Sequence, residues 1–130
     1  MKKVYYTWRN VQGACLDIAK QMHNHNWRPD YIVGITRGGL VPANLLSQYT
    51  GIKMNSLDIS LRDGGDCVSN LGMAEDAYAG KKILIVDDIN DQGSTVAWIK
   101  EDWPSGCFPD DKKWQSIWGD SVRFAVLTHN

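Results

Sequence analysis

One stretch near the middle of the chain, residues 83–95 with the sequence ILIVDDINDQGST, constrains the fold most strongly. It opens with four apolar, mostly β-branched residues, which indicate a strand buried on both faces inside a parallel sheet. Two carboxylates, Asp87 and Asp88, follow where that strand ends. A short loop over residues 91–95 then leads into a helix-forming stretch, and a helix start offers backbone N–H groups and partial positive charge to an anion. The stretch predicts a phosphate site beside a carboxylate pair, which suits a phosphorylated sugar bound with magnesium.

A second predicted strand, residues 31–35, also runs into a glycine-containing loop with a helix behind it. The loop consists of Thr36, Arg37, Gly38 and Gly39, and the helix is predicted to end near residue 49. Because arginine pairs bidentately with phosphate oxygens, this loop is a second candidate anion site. The alternative is a structural turn with Arg37 in solvent, and the neighbouring phosphate motif favours the anion site.

The remaining periodic segments alternate between helix and strand. Helical spacing of apolar residues predicts a helix over residues 8–25, and residues 96–103 predict another that ends at Pro104. Two further strands are predicted over residues 53–59 and 122–128. This order predicts one α/β domain over residues 1–130, a Rossmann-like, mostly parallel sheet with helices on both faces. In such a sheet both candidate loops leave from carboxyl ends of strands, where ligands bind.

Two segments are less regular. Residues 60–82 are polar and contain glycine, which predicts a mobile loop or a hairpin. Residues 105–120 form a connection with two tryptophans, and two more precede it. These four tryptophans are either an aromatic interface patch or, as the favoured alternative, side chains that pack the connection onto the domain. Base stacking on one of them is a further alternative, which their spacing does not support.

Composition excludes several classes of function. The formal net charge of the 130-residue chain is -1 and no dense basic block occurs, so nucleic-acid binding is not expected. No stretch has the roughly 18 apolar residues of a membrane span, and no apolar segment of a signal peptide follows the first residues. The odd, widely spaced Cys15, Cys67 and Cys107 fit neither a disulfide framework nor a zinc site. Reduced structural thiols and a cytoplasmic location are therefore expected.

Residues 86–95, VDDINDQGST, resemble the ribose-phosphate signature of the type I phosphoribosyltransferases. That signature has apolar residues, two acids, two mostly apolar residues and then Asp-Thr-Gly-x-Thr. Asp91, Gly93 and Thr95 match it, whereas Asn90 and Gln92 depart mildly from it. The closest likeness is to bacterial xanthine-guanine phosphoribosyltransferases. Those enzymes continue past the last strand into a hood that stacks on the base, and the chain is expected to lack this hood.

The resemblance implies a magnesium-dependent enzyme that transfers the ribose 5-phosphate of phosphoribosyl pyrophosphate to a nucleobase, with a purine expected, in nucleotide salvage. It implies that Asp87 and Asp88 hold the ribose hydroxyls, that Asp88 also reaches the metal, and that Asp91 is the general base. The remaining roles that it implies are 5′-phosphate binding by Asp91, Gln92, Gly93, Ser94 and Thr95, and pyrophosphate binding by Thr36, Arg37, Gly38 and Gly39. A homo-oligomer, dimeric or larger, is also implied.

Two other kinds of protein share parts of this sequence pattern. A non-catalytic module that senses phosphoribosyl pyrophosphate would carry the same phosphate loop. A response-regulator receiver domain also has an acidic pair after its opening strand. A receiver needs roughly a hundred residues after that pair to complete a domain, which is far more than follow Asp88 here. The receiver interpretation therefore fails on length.

Overall fold

The structure is a computed structural model that describes residues 8–35, 40–57, 68–87 and 94–126. The predicted helices and strands outside residues 60–82 are present, with ends that differ by a few residues. The predicted ends at residues 36–39, 58–59 and 127–128 lie outside the described residues. The elements in chain order are α1 (Trp8–Asn24), β1 (Tyr31–Ile35), α2 (Leu40–Thr50), β2 (Met54–Leu57), α3 (Val68–Tyr78), β3 (Ile83–Asp87), α4 (Ser94–Gly106), α5 (Lys113–Ile117) and β4 (Val122–Val126).

The four strands form one parallel sheet in the order β2-β1-β3-β4. Every residue of the two central strands, β1 and β3, is buried, because helices cover both faces of the sheet at these positions. Continuous apolar sequence in β1 and β3 is the consequence of this double burial. The predicted α/β class with a parallel sheet is confirmed.

Side chains alternate between the two faces of the sheet, and each face has its own core. Ile32 and Leu84 pack with α1 and α2 residues such as Leu46 on one face. Val33 and Ile85 pack on the other face, with α3, α4 and α5 residues. The period of two residues follows from the strand pleat. The predicted placement of helices on both faces is therefore confirmed.

Helix α3 corrects the prediction for residues 60–82. Residues 68–78 form a helix rather than a loop or hairpin, and residues 60–67 lie outside the described part of the chain. The helix buries Met73, Ala74 and Ala77 against the sheet. The segment contains small side chains and Gly72, which is unfavourable in a helix, so its apolar and polar faces differ little. Its sequence pattern therefore does not indicate a helix, which is stabilised instead by tertiary packing.

Helix α4 corrects the prediction that Pro104 ends the helix. The helix continues to Gly106 with Pro104 inside it. Proline lacks a backbone N–H, and near a helix end this removes a single intrahelical hydrogen bond. The Cys107 N–H donates to the Pro104 carbonyl at 3.0 Å, which closes the last turn behind the proline.

The tryptophan-containing connection packs onto the domain, in agreement with the favoured sequence interpretation. Trp103 is 1% exposed and Trp114 is also buried. The Trp114 indole N–H donates to the Cys107 carbonyl at 2.8 Å, and its ring stacks on Trp118 with centroids 5.5 Å apart. Trp118 in turn contacts Phe124 of β4. Through these ring contacts, α4, α5 and β4 pack into one core.

The free thiols that the structure describes are both buried. Cys15 and Cys107 form no disulfide. Burial raises the pKa of the Cys15 thiol to about 11, which leaves it protonated and unreactive at neutral pH. Cys67 lies outside the described residues. None of the described helices is long and apolar enough to cross a bilayer.

A hydrogen bond from Tyr78 to Asp111 ties the end of α3 to the start of α5. The second Asp111 oxygen accepts the backbone N–H of Lys113 at 2.9 Å. Donation from Tyr78 is the main cause that lowers the pKa of Asp111 below 3.8. The same hydrogen bond is the main cause that raises the pKa of Tyr78 above 10.0.

We expect Tyr78→Phe to lower the melting temperature by a few degrees at neutral pH, because it removes the donor to Asp111. The folded pKa of Asp111 is depressed, so this stabilisation is present above the unfolded pKa of the carboxyl and is lost as pH falls through the folded pKa. Melting curves of both proteins between pH 7 and roughly pH 3 test this. A difference in melting temperature that does not shrink at acid pH would contradict it.

Candidate active site

Both predicted anion loops leave the sheet at the same edge. In the register of β1 and β3, Gly34 lies beside Val86, so Ile35 and Asp87 are the next positions along two neighbouring parallel strands. Neighbouring strands are about 4.8 Å apart. Residues 36–39 and 88–93, which follow these strand ends, lie outside the described residues, but both segments start from adjacent points.

The chain connections that follow these two strands run to opposite sides of the sheet. From β1 the chain passes through α2 to β2 on one side, whereas from β3 it passes through α4 to β4 on the other side. Helices α2 and α4 accordingly cover opposite faces of the sheet. In open α/β sheets, ligands bind beyond the carboxyl ends of the strands at the point where the connections diverge in this way, and here that point lies at the ends of β1 and β3.

Asp87 is the predicted ribose-binding residue that the structure describes fully. It is the last residue of β3 and only 6% exposed. Within the described ranges it is the one buried charged or polar side chain of the core. A buried carboxylate costs free energy unless it has partners, and Asp87 interacts with at least one other group. A buried carboxylate at the end of a central strand marks this position as a candidate for a functional role.

The phosphate motif lies at a helix start, as the sequence predicts. Helix α4 begins at Ser94, two residues before the predicted start at residue 96. Ser94 and Thr95 therefore belong to the first turn, whose backbone N–H groups have no partners inside the helix. Such a turn binds phosphate through these N–H groups and the helix dipole. Its geometry suits the proposed 5′-phosphate site.

Most of the other predicted site residues lie outside the described residues. They are Thr36, Arg37, Gly38, Gly39, Asp88, Asp91, Gln92 and Gly93. The flanking residues Ile35 and Asp87 end neighbouring strands of the sheet, and Leu40 and Ser94 begin the helices that follow in the chain. In the chain, each segment therefore connects a buried strand to a helix start, and the roles of its residues stay predictions.

A magnesium ion is implied by the resemblance, and the residues at this edge suit it. Mg²⁺ prefers a few carboxylate oxygens together with water and substrate oxygens. The buried Asp87 shows that the end of β3 accommodates a carboxylate, and the next residue in the sequence, Asp88, is the carboxylate predicted to reach the metal. Among the described residues no group of three or more histidine, cysteine or acidic side chains could hold a metal.

The fold is that of an α/β protein with a parallel sheet. Its candidate ligand site lies at the switch point, where the connections after two neighbouring strands run to opposite sides of the sheet. Comparison with known families makes the class specific. The family described as phosphoribosyl transferase domain matches residues 2–101. The chain belongs to the phosphoribosyltransferase family.

Curated relatives agree with this assignment. The chain is 26% identical to xanthine phosphoribosyltransferase 1 of Saccharomyces cerevisiae, with 99% of the chain and 73% of the relative covered. It is 33% identical to the xanthine-guanine phosphoribosyltransferase of Vibrio atlanticus over 78% of the chain and 66% of the relative. The chain thus spans two thirds to three quarters of the length of these relatives.

A solved structure shares the fold. The purine phosphoribosyltransferase from Pyrococcus horikoshii superimposes with a TM-score of 0.57 at 26% identity. The match covers 97% of this chain and 77% of that structure. The type I phosphoribosyltransferase fold that the sequence motif suggested is therefore confirmed.

Proposed function

We propose that the protein is a magnesium-dependent phosphoribosyltransferase. It transfers the ribose 5-phosphate of phosphoribosyl pyrophosphate to a purine base and releases pyrophosphate. The observation that carries the proposal is that β1 and β3 are neighbours in the parallel sheet and end at adjacent points, so the two predicted anion-binding segments start side by side. Phosphoribosyl pyrophosphate carries a phosphate at one end of its ribose and a pyrophosphate at the other. Its binding therefore requires two anion sites that are separated by the length of the sugar.

The proposed sugar site uses the β3 side of the switch point. Asp87 and Asp88 accept hydrogen bonds from the ribose hydroxyls, and residues 91–95 hold the 5′-phosphate through backbone N–H groups at the start of α4. A bound magnesium ion would supply positive charge to the pyrophosphate and would be held by Asp88. Burial of Asp87 supports this, because it fixes a carboxylate at the end of β3, beside the proposed sugar site.

The proposed pyrophosphate site uses the β1 side. Thr36, Arg37, Gly38 and Gly39 follow directly after β1. The Arg37 guanidinium pairs with pyrophosphate oxygens and stabilises the negative charge that grows as the leaving group departs. Glycines at two successive positions let the backbone approach these oxygens closely.

The proposed base site lies next to Asp91. Its carboxylate accepts the proton of the attacking ring nitrogen as the bond from that nitrogen to the anomeric carbon forms. A purine is the proposed acceptor because the relatives in the comparisons are named for xanthine, guanine or purine. The base, which approaches from the side opposite the pyrophosphate, replaces it on the anomeric carbon.

Phosphoribosyl pyrophosphate with magnesium is expected to raise the melting temperature by several degrees. A ligand at a hundred times its Kd stabilises the folded state by about 2.7 kcal/mol, and this shifts a domain of this size measurably. Thermal melts with the ligand at millimolar concentration, with and without EDTA, measure the effect. The absence of a shift, or the same shift with glucose 6-phosphate, would contradict the proposed substrate.

An assay of pyrophosphate release separates an enzyme from a module that only binds the ligand. Both would show the thermal shift, but an enzyme releases pyrophosphate when a suitable base is added. A panel of xanthine, guanine, hypoxanthine, adenine and uracil identifies the acceptor. Release with uracil alone would contradict the purine assignment, and binding without release from any base would favour the non-catalytic module.

The proposal includes three further properties of the protein. We place it in the cytoplasm, where the buried free thiols Cys15 and Cys107 would stay reduced. We regard residues 1–130 as a single phosphoribosyltransferase-like domain. We also include assembly into a homo-oligomer, which light scattering of the purified protein tests.

A further inference from the structure

A cleft on the far side of the molecule surrounds Trp27, and we call it the Trp27 cleft. Two cavities of about 470 and 290 Å³ share Met22 and Trp27 as walls. The larger lies between the ends of α1 and α2 and includes Arg28 and Tyr49. The smaller includes Arg123 of β4. The larger cavity alone has the size of an ordinary small-molecule site.

The lining of this cleft is short of negative charge. No carboxylate occurs among the described residues that line the two cavities, whereas two arginines and two histidines do. The C-termini of α1 and α2 together contribute roughly one unit of negative charge from their dipoles. Arg28 and Arg123 carry two positive charges, so the cleft keeps a positive excess although the whole chain has a net charge of -1.

Both arginines are held in place from one side. Arg28 donates from Nη2 to the Thr50 carbonyl at 3.2 Å. Arg123 donates from Nε to the Asp120 carbonyl at 2.9 Å, and its guanidinium lies 4.6 Å from the Trp27 ring centre. A guanidinium has five N–H donors, and the interactions above use one in each case. Anchored guanidiniums with spare donors are pre-organised to bind an anion.

Much of the rest of the larger cavity is apolar or aromatic, although His23, Asn26 and Thr50 also line it. Met22, Pro29 and Ile52 line it, and each of them is buried. Tyr49 also lines it and is 41% exposed, so its ring is available at the rim. Aromatic rings favour flat ring partners, and arginine adds attraction for an anionic group on the same partner.

From these observations we propose that the Trp27 cleft binds a small organic anion, a planar ring that carries a phosphate or carboxylate group. The anionic group pairs with Arg28, and the ring lies against Tyr49 and the apolar wall. This site differs from the candidate active site. The larger cavity, which holds the proposed ligand, adjoins the residues that precede β1 and β2, whereas the anion loops follow the opposite ends of the strands. Four steps of about 3.3 Å along β1 separate the two ends by about 13 Å.

Titration of ¹⁵N-labelled protein with phenyl phosphate and with benzoate tests this proposal. The reporter is the indole N–H resonance of Trp27, assigned from its loss in Trp27→Phe. We expect a saturable shift with at least one of these two anions, and the tighter of the two identifies the preferred group. Benzyl alcohol, which has the ring without the charge, is expected to cause no saturable shift. A Trp27 resonance that does not respond to either anion at millimolar concentration, or responds equally to benzyl alcohol, overturns the proposal.

Variants separate this site from other anion sites. Arg28→Gln is expected to weaken phenyl phosphate binding by roughly tenfold or more, while Lys20→Gln, on an exposed part of α1 outside the cavities, leaves it unchanged. Because Arg28 also binds the end of α2, Tyr49→Ser provides an independent test through an exposed side chain. It is expected to weaken phenyl phosphate binding and to leave inorganic phosphate binding unchanged. Equal affinities in wild type, Arg28→Gln and Tyr49→Ser would overturn the proposal.

The inference does not depend on the proposed activity. Asp88→Asn, in the candidate active site, is expected to leave the response of Trp27 to phenyl phosphate unchanged. A protein without phosphoribosyltransferase activity could still show the Trp27 response, and an active enzyme could lack it. Loss of the Trp27 response in Asp88→Asn would assign the effect to the active site and overturn the separate cleft.

Discussion

Replacing Asp91 by asparagine is expected to lower the turnover of phosphoribosyl transfer by roughly two orders of magnitude or more. The amide keeps the size of the side chain but cannot accept the proton of the base. Binding of phosphoribosyl pyrophosphate should change little, because the proposed phosphate contacts come from backbone N–H groups at the start of α4. A reduced kcat with a nearly unchanged KM for phosphoribosyl pyrophosphate is the expected kinetic result.

Asp110→Asn is the matched control, because Asp110 is an exposed acid in the connection before α5. Its turnover should equal that of the wild type. The thermal shift caused by phosphoribosyl pyrophosphate with magnesium should be the same in all three proteins, which shows that the substrate site is intact. Near-normal turnover in Asp91→Asn would rule out the general-base role.

The central strands were the most predictable part of the fold. Both faces of β1 and β3 are buried, so nearly every position requires an apolar residue. The two strands can therefore be recognised in the sequence as continuous apolar runs, without an alternation of apolar and polar residues. Asp87 then marks the strand end, because a carboxylate at a buried position requires a specific reason. The end of the sheet that carries the candidate site could also be predicted, because parallel strands bring their carboxyl ends together.

Helix α3 and the Trp27 cleft could not be predicted, because both depend on contacts between distant segments. Ala74 and Ala77 of α3 are buried only because other elements of the domain lie over them. The cleft combines Arg28 of the connection after α1, Tyr49 of α2 and Arg123 of β4. No pattern along the chain connects these residues. The adjacent Trp27 and Arg28 are the part of the cleft that the sequence shows together.

Trp103→Ala is expected to destabilise the protein by about 3–5 kcal/mol, the range for removal of a buried aromatic side chain. Trp103 is 1% exposed and its ring lies 6.1 Å from that of Trp118, so the cavity would open in the centre of the aromatic contacts between α4 and β4. Domains have a total stability of about 5–15 kcal/mol. The expected fall in melting temperature is roughly 12–20 °C, measured by calorimetry or denaturant unfolding.

Two phenylalanine variants separate lost volume from lost hydrogen bonding. Trp103→Phe and Trp114→Phe remove similar volumes from the same core. The Trp103 indole N–H is buried without a partner among the described residues, so its removal relieves an unfavourable desolvation. The Trp114 N–H donates to the Cys107 carbonyl, so its removal costs a hydrogen bond, about 0.5–1.5 kcal/mol. Trp114→Phe should therefore be the less stable variant. Equal stabilities, or a more stable Trp114→Phe, would show that packing alone sets the cost at this core.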